Sequence, residues 1–113
     1  MIAGAEQLIG SYFEAIRARD ADALGRLFHS EAVLVSAAGT FEGRDAITAF
    51  YRDLVFLVDD LWPDPGPLTV DGERVKVEIQ LRMNGDISRV NDFFTLGDGA
   101  VTGLVIETAA AGA

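Results

Sequence analysis

The chain has 113 residues, half of them hydrophobic, with 18 acidic against 9 basic residues and a formal net charge of -9. That length suits one domain, which buries about two-thirds of its unfolded surface. The acidic balance repels phosphate backbones and anionic lipid, so nucleic-acid and membrane-surface roles are excluded from the reading. With no cysteine and a single histidine there is no thiolate or histidine metal centre, and no metal or cofactor is expected.

The opening stretch, MIAGAEQLIG, has no basic leader, and Glu6 interrupts its apolar run, so it does not read as a signal peptide. The longest apolar stretches, 32–35 and 54–58, are too short to span a bilayer. A cytoplasmic protein is expected. Residues 6–19 place Leu8, Ile9, Tyr12, Phe13 and Ile16 on one face of an amphipathic helix. Asp20 or Asp22 can cap a second short helix that buries Leu24, Leu27 and Phe28. Residues 32–36 form a short β-rich run, followed by a turn at 37–39. A third helix follows Gly43, with Ile47, Phe50, Tyr51 and Leu54 on one side.

The period then changes. Residues 55–62 are expected to be extended and to end at a proline run, 63–67, that does not suit regular structure. Residues 68–70 and 75–83 read as a hairpin about Asp71-Gly72. Its second arm alternates Val75, Val77, Ile79, Leu81 and Met83 against Lys76, Glu78, Gln80 and Arg82. Asn84-Gly85-Asp86 turns the chain into a strand over 87–96, and Gly97-Asp98-Gly99 into a last strand over 100–108. Residues 109–113 are small and featureless and are expected to fray. Helices first and long strands afterwards predict an α+β layout, with helices on one face of an antiparallel sheet.

In the strand 87–96, one alternate set is Ser88, Val90, Asp92, Phe94 and Leu96; the other is Ile87, Arg89, Asn91, Phe93 and Thr95. The first carries a single charge and is read as facing inward. A carboxyl group among apolar neighbours must be paired, hydrogen-bonded or protonated with a raised pKa. Asp92 is therefore either a strand acid bonded to backbone at the solvent rim or a perturbed acid in a pocket. Tyr12 is either plain core or a hydroxyl aimed at that pocket. His29 reads as a helix-end residue, and Asp59 and Asp60 point to opposite faces, so they make no acid/base couple. Trp62 is a pocket wall or an interface anchor. There is no nucleophile elbow, phosphate loop or metal-spaced cluster.

Three segments in this order, SYFEAIRARDADALGRLFHSEAVLV, FEGRDAITAFY and VNDFFTLGDGAVTGLVI, resemble the nuclear transport factor 2-like superfamily. That superfamily includes ketosteroid isomerases, SnoaL-like polyketide cyclases and limonene-epoxide hydrolases. The resemblance runs from about Gln7 to Glu107 and implies one domain across 1–113. The implied fold is a cystatin-like cone (an α+β roll) of three N-terminal helices packed on a curved antiparallel sheet. Set beside the isomerases, Tyr12 falls where a tyrosine donates to the substrate oxygen, and Asp92 where a protonated aspartic acid is the second donor. Phe50 and Tyr51 match an aromatic pair near the site in some members. The catalytic base aligns with Ser36, and the glutamate before it with Val35, so this chain resembles the donor half and lacks the base half.

The SnoaL-like cyclases fit better, because they resemble this chain in using an inward aspartate on this strand as acid/base in an aldol closure. The epoxide hydrolases fit least: their Asp-Arg-Asp relay needs an arginine, and Arg82 and Arg89 both alternate away from Asp92. The resemblance thus implies a pocket for a hydrophobic small molecule, with Tyr12 and Asp92 as the catalytic donor pair. Its wall is expected from Phe28, Ser36, Phe50, Tyr51, Trp62, Leu81, Phe94, Leu104 and Ile106. It also implies a homodimer through the outer sheet face, where Arg89, Asn91 and Phe93 lie. Isomerase- or cyclase-like activity on a carbonyl compound is one reading; non-catalytic binding or dimerisation on the same fold is the other.

Overall fold

The structure is a computed structural model that describes residues 2–108; residues 109–113, expected to fray, lie outside them. Helix α1 spans Ile2–Ala18 and buries Ile9, Tyr12, Phe13 and Ile16, the stripe that a 3.6-residue period predicts. It ends in a Schellman turn with Arg19 in the left-handed region (φ 55). The Arg19 amide donates to the Ile16 carbonyl and the Asp20 amide to that of Ala15. Asp20 then caps α2 (Ala21–Gly25), its carboxylate accepting from the Ala23 amide at 3.0 Å. Gly25 lets α2 sit close on α3, since a Cβ there would collide with the Thr48 hydroxyl.

Strand β1 (Phe28–Ser36) starts earlier than the β-rich run suggested and runs into β2 (Gly39–Glu42), an edge strand the residue pattern did not announce. His29 is therefore a strand residue, and its Nδ1 accepts from the Glu31 amide. Helix α3 covers Arg44–Asp53 and buries Ile47, Phe50 and Tyr51. It stops one residue short of Leu54, which is 56% exposed rather than on the buried side.

Residues 55–62 are not extended throughout. Val55–Leu57 is a single 3₁₀ turn, and the chain enters β3 (Trp62–Asp71) only at Trp62. The proline run is part of that strand. β3 is the outer strand of the order β2-β1-β6-β5-β4-β3, where a missing N–H goes unnoticed, and its register slips between Pro65 and Leu68 as a bulge.

Strands β4 (Arg74–Met83), β5 (Asp86–Gly97) and β6 (Ala100–Thr108) continue the sheet through two-residue turns. Asn84 and Gly85 both have positive φ, as do Asp98 and Gly99, the signature of type I′ turns. One pairing departs from the expected antiparallel sheet: β1 runs parallel to β6, so the sheet is mixed. The cause is topological. Helix α3 carries the chain across the sheet to β3, and the meander β3–β6 then closes back onto β1. The α+β class stands, with α1 against β3 and α3 against β1 on one face. The core lies between them, built from Phe28, Leu34, Val75, Val77, Phe94 and Leu104 under Ile9, Tyr12 and Ile47.

Candidate active site

Helices and sheet part toward one end and leave a cavity of about 300 Å³. Helix α1 contributes Tyr12, Phe13 and Ile16, and α3 contributes Phe50 and Tyr51. Ile79 and Leu81 come from β4, Val90 and Asp92 from β5, and Ile106 from β6. Ser36, Ala37 and Ala38 sit on one side of the lining, Ser88 and Thr108 on another. The wall is apolar with a few convergent polar groups, the composition of a small-molecule site.

The inward set of β5 is the one that contains Asp92. Val90, Asp92 and Phe94 are all buried, while Arg89 and Phe93 face outward. Asp92 pairs in register with Val77 of β4 and Ile106 of β6, so the carboxyl is flanked by aliphatic side chains on both neighbouring strands. It is 3% exposed, the only charged group in the buried set among the described residues. Among the described residues it accepts no hydrogen bond and faces no cation. Desolvation alone therefore governs it and raises its pKa to about 7.

Above it, the hydroxyls of Tyr12 and Tyr51 meet at 2.5 Å. Both phenols are held far above their ordinary pKa, first by burial; for Tyr12 the neighbouring Tyr51 comes next and then the negative charge of Asp92, and for Tyr51 the charge of Asp92. They are permanent neutral donors. Two hydroxyls that share one hydrogen bond keep one proton between them for a third partner. Tyr12 is further locked edge-on by Phe13, Phe28 and Phe94, with ring centroids 5.0, 6.3 and 5.1 Å away.

Of the expected wall, Ser36, Phe50, Tyr51, Leu81 and Ile106 line the cavity. Phe28, Phe94 and Leu104 do not. They are essentially inaccessible core residues that back the wall, because the cone narrows toward their end of the strands and the helices close down on them. Trp62 is a clearer correction. It is 48% exposed and on the outer face of β3, opposite Arg82, where the Arg17 guanidinium lies 4.9 Å from its ring centroid. Strand alternation turns Trp62 out and Pro63 in, and the cavity takes Pro63 instead.

The expected wall also left out Val55 of the 3₁₀ turn, Leu61 just before β3, and Met83 at the end of β4, which shares the face of Leu81. Only the fold brings Val55 and Leu61 there. Ser36 ends β1, with its Oγ accepting from the Ala38 amide at 3.1 Å. Val35 pairs with Val105, and Ile106 with Asp92, so Ser36 and Asp92 lie two strands apart in one transverse row, roughly 10 Å between Cα positions. No carboxylate stands where a proton-shuttling base would face Asp92 across the cavity. The described residues contain no group of three or more potential metal ligands.

A buried, unpartnered acid under a tyrosine pair, in a mostly apolar cavity between helices and sheet, makes this a pocketed α+β protein. The chain belongs to the SnoaL-like domain family, whose model matches residues 9–104. Among solved structures, it is similar to a candidate polyketide cyclase from Sinorhizobium meliloti, with 26% identity and a TM-score of 0.80, over 89% of this chain and 94% of that one. A Catenulispora acidiphila protein with a ketosteroid isomerase-like fold, solved in complex with trimethylamine, superposes with a TM-score of 0.79 at 17% identity, covering 88% of this chain and 82% of that one. A Methylobium petroleophilum protein with a cystatin-like fold reaches a TM-score of 0.85 at 18% identity, over 98% and 79% of the two chains. No curated protein matches. The last two likenesses concern the fold, which hosts many functions.

Proposed function

We propose that this chain, acting as one domain, is a small hydrophobic-ligand pocket protein that works as an isomerase- or cyclase-like enzyme on a carbonyl compound. Asp92 and Tyr12 form the donor pair. The observation that carries this reading is the isolation of Asp92: a carboxyl titrating near neutrality, alone in an apolar cavity beside two phenols. Once it holds a proton it donates, together with Tyr12, to the oxygen of the carbonyl under attack, the preorganised stabilisation that favours the developing alkoxide.

Since Ser36 occupies the position of the usual base, Asp92 serves both directions of proton transfer. As carboxylate it takes an α-proton from the substrate. As acid it returns that proton to the carbonyl oxygen that becomes the aldol hydroxyl when the carbon–carbon bond closes. A group with a pKa near 7 populates both forms at neutral pH.

The second reading, ligand binding without turnover, is favoured by Ser36 itself, whose hydroxyl has no base behind it. A thermal-shift screen of cyclic ketones, polyketide fragments and terpenoid epoxides separates the readings when followed by product analysis. Stabilisation with turnover that is lost in Asp92→Asn supports the enzyme. Stabilisation without turnover supports the binder, and no stabilisation by any class overturns both.

Two further proposals accompany this reading. The protein works in the cytoplasm, apart from nucleic acid and membranes; no helix among the described residues is long and apolar enough to cross a bilayer. It also pairs as a homodimer through the outer sheet face. Val35, Val105 and Phe93 lie in one transverse row there, with Val33 beside them, and Val33, Val35 and Phe93 are each more than a third exposed. Beside them the Asn91 side-chain oxygen is buried without a partner, as a group awaiting an interface donor would be.

A further inference from the structure

When Asp92 is ionised, the cavity holds one negative group and nothing that balances it. The groups that face the carboxyl from each packed element carry no charge: Tyr12 from α1, Tyr51 from α3, Val77 from β4 and Ile106 from β6. No lysine, arginine or histidine lines the cavity among the described residues. A buried carboxylate gains most from a cation brought to it, because the surroundings screen the pair so little. The rings of Tyr12, Tyr51 and Phe50 form the adjoining wall and meet at steep angles, 84° between the tyrosines and 67° between Phe50 and Tyr51. Aromatic rings attract cations brought against their faces.

We propose that this cavity is a site for a compact hydrophobic cation, a protonated amine on an apolar body. The Asp92 carboxylate is its counter-ion and Tyr12, Phe50 and Tyr51 its aromatic wall. The proposal rests on the reading of the cavity as a ligand site, but it concerns the charge state opposite to the one that donates to a carbonyl. Size narrows the class. The volume of about 300 Å³ corresponds to about ten waters of liquid, which suits one or two small rings and not a long chain. The formal charge of -9 also draws cations toward the protein and repels anionic ligands.

The two ligand classes have opposite pH signatures. An amine needs the carboxylate, so its affinity rises with pH until Asp92 is fully ionised. A neutral carbonyl compound needs the acid form, so its affinity falls over the same range. With a pKa of about 7, the ionised fraction grows roughly thirty-fold between about pH 5.5 and 8.

The test is an NMR titration of the full chain with N,N-dimethylbenzylamine, with isobutylbenzene, its uncharged isostere, and with cyclohexanone, each at both pH values. The methyl signals of Val90 and Ile106 report occupancy. The expected result is an amine that binds at least tenfold more tightly at the higher pH and more tightly than the isostere. The isostere's affinity should be independent of pH. Asp92→Asn should remove the amine's advantage and leave isostere binding intact, which also shows that the variant's cavity is formed. An amine that binds no better than the isostere, or without pH dependence in the unsubstituted protein, overturns the proposal. Cyclohexanone binding at low pH with no amine binding at high pH overturns this proposal alone. Absence of binding by all three probes overturns the ligand-site reading with it.

Discussion

Asp92 makes a stability statement as well as a chemical one. Its folded pKa of about 7 lies above the value near 3.9 of an unfolded aspartate, so between those values the folded chain holds the extra proton. Stability therefore falls as pH rises from about 4 to 7 and stays lowered above. Three pKa units correspond to about 4 kcal/mol. Asp92→Asn has no carboxyl to ionise, and the expected outcome is a variant up to about 4 kcal/mol more stable than the parent at pH 8 but not at pH 4. Urea unfolding at the two pH values checks it; equal denaturation midpoints at pH 8 would contradict the buried-acid assignment. The tyrosine pair makes a second test. Tyr12→Phe and Tyr51→Phe each remove the same hydrogen bond, so each costs about 1 kcal/mol, and the double variant costs less than their sum. A double-mutant cycle with strictly additive losses would mean the hydroxyls do not interact.

The connections between elements hold the cavity open at its end. Arg19 closes α1 in the left-handed region, where a side chain is strained, yet its guanidinium donates to the Val58 carbonyl at 2.6 Å and the Asp59 carbonyl at 2.8 Å. That clip secures the segment between the 3₁₀ turn and β3, from which Leu61 enters the lining. Arg19→Ala loses the clip and keeps the strain, whereas Arg19→Gly loses both. The alanine variant is expected to be less stable than the glycine variant by about 1 kcal/mol, read from thermal unfolding. On the other side of the same segment, the Asp60 carboxylate accepts from the Asn84 and Gly85 amides at 2.7 Å each, and these bonds hold its pKa below the usual range. Being lowered, it stays in place above about pH 4 and is lost on acidification. Asp60→Ala should speed amide exchange at Asn84 and Gly85 and leave the Asp98-Gly99 turn unchanged. Equal acceleration at both turns would point to general loosening instead.

For the molecule as a whole, the proposed homodimer is tested at Phe93. It stands on the outer face beside Lys76, whose ammonium lies 5.8 Å from the ring centroid, and in register with Val105. An apolar row of this kind on an otherwise acidic chain is the feature expected of an interface. The chain should sediment as a dimer and Phe93→Glu as a monomer, with the cavity's ligand response retained; a monomeric parent protein at micromolar concentration overturns the dimer.

Much of this was legible in the residues, and the reason is periodicity. The stripe of α1, the alternation of β4, the inward set of β5 and the turns at Asn84-Gly85 and Asp98-Gly99 all follow from local steric and solvation rules, which need no knowledge of distant partners. These rules placed Asp92 and Tyr12 on buried faces. Local rules misread the proline run because only its place at the sheet edge makes proline tolerable in a strand. They missed β2 and the parallel β1–β6 pairing because both depend on where the chain returns in space. The same limit applies to the wall. Whether Phe94 lines the cavity or backs it, and whether Trp62 or Pro63 faces it, depends on where helices and sheet separate. The sequence alone placed Asp92 on the inward-facing set of its strand, with the solvent rim and the pocket both open to it. Tertiary structure decided that it would be buried and without a partner, because the four elements packed around Asp92 supplied aliphatic and phenolic neighbours and, among the described residues, no cation.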